Sequence, residues 1–109
     1  MLFYLKKFLN RFYGGMDLGL AETFKALSDK QRRDILMMLR NGPMNAGEIA
    51  DKLGVTPAAL SYHLKLLKSA ELIVEYKEKN FVYYELNTTL FHEIVMWLKQ
   101  FGGDNDENK

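Results

Sequence analysis

The sequence predicts a mainly α-helical domain that carries one small β-hairpin. Three observations lead there. From Leu18 onward, apolar residues recur at helical spacing in short stretches bounded by capping and breaking residues. The run Gly54-Val55-Thr56-Pro57 has the composition of a tight corner between two helices. Two runs rich in β-branched and aromatic residues, 72–76 and 81–86, then follow with a polar stretch, 77–80, between them.

The first fifteen residues form an extension. Leu2, Leu5, Leu9 and Phe12 fall at helical spacing beside Lys6, Lys7 and Arg11, and Gly14-Gly15 ends the stretch. It is too short and too charged to span a bilayer, and it lacks the unbroken apolar stretch of a signal peptide. Two readings stay open: a start upstream of a natural Met16, or a short amphipathic helix that lengthens a subunit interface or touches a membrane surface. The domain itself covers 16–103, and the acidic tail 104–109 is expected to be disordered.

Within the domain, Leu20, Phe24 and Leu27 mark one helix, ended near Ser28-Asp29. Asp29 can cap the next, whose inward residues are Ile35, Leu36 and Leu39 and which stops at Gly42-Pro43. Asn45 with Glu48 three residues on has the polarity of a capping box for a third helix facing inward through Ile49, Ala50 and Leu53. Gly54 suits the left-handed end of that helix, Thr56 an N-cap and Pro57 the first helical position. Val55 and Leu60 are placed to staple the corner.

The fourth helix, 57–69, has two faces. Leu60, Leu64 and Leu67 form the buried stripe, while Ala58, Ser61, Tyr62 and Lys65 lie opposite. Small and hydroxyl side chains near a helix start, with lysine beyond, suit entry into a DNA major groove. With the hairpin behind it, this helix-turn-helix becomes a winged helix-turn-helix, with Lys77 and Lys79 at the wing tip. The last helix, about 89–101, is apolar over most of its circumference: Leu90, Phe91, Ile94, Val95, Leu98 and Phe101 on one broad side, Met96 and Trp97 on another. Such a helix is buried on two sides, so a two-fold dimer is expected from Leu20, Phe24, Leu90, Phe91, Ile94, Trp97, Leu98 and Phe101.

Composition bounds the chemistry. The 109 residues are 48% apolar and 27% charged, an ordinary balance for one globular domain. Net charge is only +1, or +3 over residues 1–103, so the case for DNA rests on local pattern rather than total charge. Without cysteine the chain has no disulfide, thiolate nucleophile or cysteine zinc site, and a cytoplasmic location fits. An enzyme finds no support: there is no glycine-rich phosphate loop, and Ser61 and His63 point in different directions from one helix. No cofactor, metal or small-molecule substrate is expected.

The run Ala26-Leu27-Ser28-Asp29-Lys30-Gln31-Arg32-Arg33-Asp34-Ile35-Leu36, with Ile49-Ala50 before Leu53-Gly54-Val55, resembles the ArsR family of winged-helix repressors. So do Leu60-Ser61-Tyr62-His63-Leu64-Lys65-Leu66-Leu67 and Tyr83-Tyr84-Glu85-Leu86-Asn87. The resemblance covers about residues 20–100. Leu86-Asn87-Thr88-Thr89 with Trp97 is most similar to the SdpR-type autorepressors. It implies a homodimer on an inverted-repeat operator of double-stranded DNA, often its own promoter. The candidate contacts are Thr56, Ala58, Ser61, Tyr62, His63, Lys65, Lys77 and Lys79. For His63, base or phosphate contact and helix packing both stay open. The family's metal sensors carry cysteines where this chain has Asn45-Ala46-Gly47-Glu48-Ile49-Ala50, and the last helix offers only His92-Glu93, so metal sensing is not expected. Lys79-Asn80 replaces the Gly-Arg of many relatives at the wing tip. Release is expected through a signalling protein partner or through simple concentration dependence. The competing reading is a winged-helix module for protein contact without DNA binding.

Overall fold

Only Ser28 and Asp29 separate the first two helices, α1 (Leu18–Leu27) and α2 (Lys30–Met38), in the computed structural model, which describes residues 18–102. The expectations for 1–15 and 104–109 lie outside the described residues. Asp29 adopts an extended backbone and its Oδ2 accepts from the Arg32 N–H at 3.2 Å, so the side chain caps α2 as expected. That hydrogen bond, ahead of the neighbouring positive charge of Arg32, holds the Asp29 carboxyl below its ordinary value.

After α2 the chain tightens into a 3-10 turn (Leu39–Asn41) and turns at Gly42, whose φ of 129° lies outside the range that side chains favour. Strand β1 (Met44–Asn45) leads into α3 (Ala46–Leu53). The capping box is present in both directions: Asn45 Oδ1 accepts from Glu48 N at 2.9 Å, and Glu48 Oε1 accepts from Asn45 N at 3.0 Å. Gly54, at φ 75°, ends α3 in the left-handed conformation. Thr56 Oγ1 accepts from Ala59 N at 3.1 Å, Pro57 opens the helix, and α4 runs Pro57–Ser69.

Strands β2 (Ile73–Glu78) and β3 (Phe81–Leu86) form the wing, and α5 (Thr88–Lys99) closes the fold. The sheet has three strands in the order β1-β3-β2, with Met44 opposite Tyr84 and Ile73 opposite Leu86. Sequence reading had no place for β1: two residues after Gly42-Pro43 carry no period-two pattern, and β3 recruits them by lending its free edge. The hairpin is also longer than expected. Lys77 and Glu78 belong to β2 and pair with Val82 and Phe81, which leaves Lys79-Asn80 as a two-residue turn. Lys77 and Glu78 lie past the core and are exposed, so their polar side chains read as loop although they pair in the strand. Asn87 anchors both ends of this region: its Oδ1 accepts from Leu90 N, and its Nδ2 donates to Glu71 O at 2.9 Å.

The core draws on every helix. Ala26, Ile35, Ile49, Leu67, Leu72 and Leu90 are almost completely buried, and Leu60, Leu64 and Ile94 pack around them. Among these side chains lies a charged one. Arg32 is buried, and its Nε donates to Ala26 O at 2.8 Å and its Nη2 to Lys25 O at 3.1 Å. Arg33 Nη1 adds a donor to Leu27 O at 2.9 Å. The open carbonyls at the negative end of α1 thus receive two guanidinium groups.

Replacing Arg32 with Met keeps the apolar stem but removes the guanidinium donors to Ala26 O and Lys25 O and the bond to His63. The variant should lose about 3 kcal/mol of stability in urea denaturation. Asp29 supplies the pH test. Because its folded value is depressed, its contribution is full above about pH 4 and is lost as pH falls through the folded value. Asp29→Asn keeps the cap but should flatten the fall in stability between pH 6 and pH 3, relative to the parent protein.

Candidate nucleic-acid interface

The α3–α4 corner determines which side of α4 faces outward. With Leu60, Leu64 and Leu67 buried, the 3.6-residue repeat turns Ala58, Ser61, Tyr62 and Lys65 to solvent. Tyr62 is 55% exposed. Thr56 is exposed as well, although Pro57 carries no N–H and the Ala59 N–H is taken by Thr56 Oγ1.

His63 corrects the expected contact set. It is only 8% exposed and belongs to the inner face of α4. Its Nδ1 lies 3.2 Å from Arg32 Nη1, and its Nε2 lies 2.9 Å from Gln31 Oε1. Guanidinium can only donate, so Nδ1 is the acceptor and Nε2 carries the proton to Gln31. The Asp29 carboxylate stands 4.0 Å from the same Nδ1. With both ring nitrogens engaged inside the protein, the imidazole has nothing left for a base edge, and packing is the reading that fits. Arg32 was missed at the sequence level as a structural residue. The available signal was its place with Ile35, Leu36 and Leu39 on one helical stripe.

A surface ion pair links the wing to the last turn of α4. Lys68 Nζ pairs with Glu75 Oε1 at 3.0 Å, and Tyr84 faces the same side, its phenol pushed up by burial and then by Glu75. Lys77 alternates onto this face with Glu75, so it stands on the side of the wing nearer α4. Lys79 occupies the turn with φ 59°, a left-handed conformation that costs a β-carbon-bearing residue about 1 kcal/mol. Exposed residues of α4, the α3–α4 corner and the two wing lysines therefore form one discontinuous polar surface.

The apolar residues of α1 and α5 divide differently from expectation. Leu90 and Ile94 are enclosed in the protomer's own core, and Phe91 packs against it, because one face of the first two turns of α5 is turned inward. Phe24, Val95, Met96 and Leu98 are exposed, and Phe101, in the turn after α5, is 73% exposed. Trp97 lies between Phe24 and Phe101, with ring centroids at 6.2 and 5.2 Å. Leu20 is half-buried on α1. Val95 and Met96, which the sequence reading left out of the interface, belong to this outward surface. Among the described residues no group of acidic or histidine side chains is placed to hold a metal ion.

A helix-turn-helix with one polar helix face outward and a lysine-bearing hairpin beside it defines a DNA-binding transcriptional regulator of the winged-helix class. The chain belongs to the ArsR family of bacterial regulatory proteins, whose pattern matches residues 29–75. It is 44% identical over 86 residues to the transcriptional repressor SdpR of Bacillus subtilis, covering 77% of this chain and 96% of that one. The arsenical resistance operon repressor of Bacillus subtilis is 37% identical, over 61% of this chain and 64% of that one. Among solved structures, an ArsR-like transcriptional regulator from Rhodococcus superposes with a TM-score of 0.72 at 28% identity, covering 83% of both chains.

Lys79→Gly should separate two effects of the wing tip. Glycine relieves the left-handed strain, so thermal denaturation should show a gain of up to about 1 kcal/mol. If the tip also meets phosphate, the same variant should flatten the salt dependence of DNA affinity by about one counterion.

Proposed function

We propose that this protein is a cytoplasmic transcriptional repressor that binds an inverted-repeat operator as a homodimer and represses its own promoter. The observation that carries the reading is the two-sided α4. Its inner side is locked by Leu60, His63, Leu64 and Leu67, which leaves Ser61, Tyr62 and Lys65 free to enter a groove. Ser61 and Tyr62 read base edges, Lys65 neutralises a phosphate, and Thr56 with Ala58 lets the helix N-terminus approach the backbone. Lys77 and Lys79 contact the flanking duplex. The likeness to a transcriptional repressor over nearly all of that protein's length supports the direction of regulation.

Dimerisation rests on the outward apolar surface of α1 and α5, chiefly Phe24, Val95, Leu98 and Phe101, with Trp97 at its centre. A two-fold pair then presents two α4 helices to successive major grooves. No helix among the described residues is long and apolar enough to cross a membrane. A regulator without catalytic activity, cofactor or small-molecule substrate fits this surface. A signalling protein partner accounts for release from DNA.

Fluorescence anisotropy against the protein's own upstream promoter and a scrambled duplex, at two salt concentrations, tests the proposal. Promoter-selective binding by a dimer, weakening with salt, is the expected result. Lys65→Ala should weaken both duplexes alike. Tyr62→Ala should cost about 1–3 kcal/mol on the promoter and little on the scrambled DNA. Binding to neither duplex would sink the proposal.

A further inference from the structure

The wing has a second face that DNA reading does not use. Opposite the side of Glu75 and Lys77, the cross-strand register places Val74, Tyr76 and Glu78 beside Glu85, Tyr83 and Phe81. The Tyr76 and Tyr83 rings stack with centroids 5.8 Å apart at 25°, and Phe81 leans on Tyr83 at 6.3 Å. Val74, Tyr76 and Phe81 are exposed, Phe81 by 55%. Partial desolvation, then the Glu85 and Glu78 carboxylates, hold the Tyr76 phenol above its ordinary value, which puts both acids within electrostatic reach of that ring. Neither carboxylate has an ion-pair partner among the described residues.

This combination points away from nucleic acid. Two unpaired carboxylates repel a phosphate backbone, and the basic groups of the wing, Lys77 and Lys79, lie on its other face and at its tip. Stacked tyrosines beside free carboxylates are the chemistry that receives a guanidinium. Its plane lies on a ring face while its N–H groups donate in pairs to the acids. Lysine offers neither the plane nor the paired donors. Val74 and Phe81 supply adjacent apolar surface, so the complementary ligand has arginine set among apolar residues.

We infer that the outer face of the wing docks a protein segment carrying arginine among apolar residues, while the inner face and tip of the same hairpin are turned toward DNA. The two surfaces lie back to back, so both partners fit at once.

The test is a titration of the 15N-labelled full chain, free of DNA, with a short synthetic peptide in which arginine alternates with leucine. Saturable amide shifts should centre on Tyr76, Phe81 and Tyr83. Glu78→Gln combined with Glu85→Gln changes only exposed or half-exposed side chains, and should weaken peptide binding about tenfold. The same peptide with glutamate in place of arginine should leave those amides unmoved. Absence of saturable shifts on the wing, equal response to the glutamate peptide, or unchanged affinity in the double variant would each overturn the inference.

Discussion

Arg32 occupies a position where a charge should be costly, and the surrounding structure is arranged to receive it. Two of its nitrogens close the end of α1, a third reaches the imidazole on α4, and its own backbone N–H is taken by the Asp29 cap. One residue therefore joins two other helices, α1 and α4, to the start of its own. Burying a guanidinium is tolerable only with good geometry and several acceptors. Here the acceptors are carbonyls that a helix end leaves open in any case, so the charge and the helix terminus satisfy one another.

The consequence reaches the DNA-reading helix through His63. The buried leucines choose which face of α4 turns inward, but apolar contacts carry little direction of their own. A hydrogen-bonded imidazole, held by Arg32 on one side and Gln31 on the other, adds two directional bonds from α2 to the inner face of α4. Thr56 and Gly54 fix where that helix begins, and the exposed Lys68–Glu75 pair links its far end to the wing. Each constraint is local, yet together they decide which side chains point outward.

Most of this frame was legible in the sequence because it rests on short-range chemistry. Caps, a left-handed glycine, a first-turn proline and leucines at helical spacing state their roles within a few residues, and Asp29, Asn45, Thr56, Pro57 and Leu60 act as their neighbours imply. What escaped depends on residues distant in the chain. His63 reads as surface or interior until Gln31 and Arg32 are placed against it. Strand β1 has no pattern of its own and exists because β3 has an edge to offer. Leu90 and Ile94 read as interface residues because composition reports how much of a helix is apolar, not which partner covers each side.

Burial along β2 falls to nothing after Ile73: the remaining five residues of the strand are exposed, as is the start of β3. The hairpin is tied to the domain at its base and makes no demand on the core beyond it. Substitutions in the outer wing therefore carry little folding penalty, whereas those in α2 and α4 are constrained by everything packed on them. Folding leaves the wing's surfaces open to change, so what they carry is limited by binding rather than by the core.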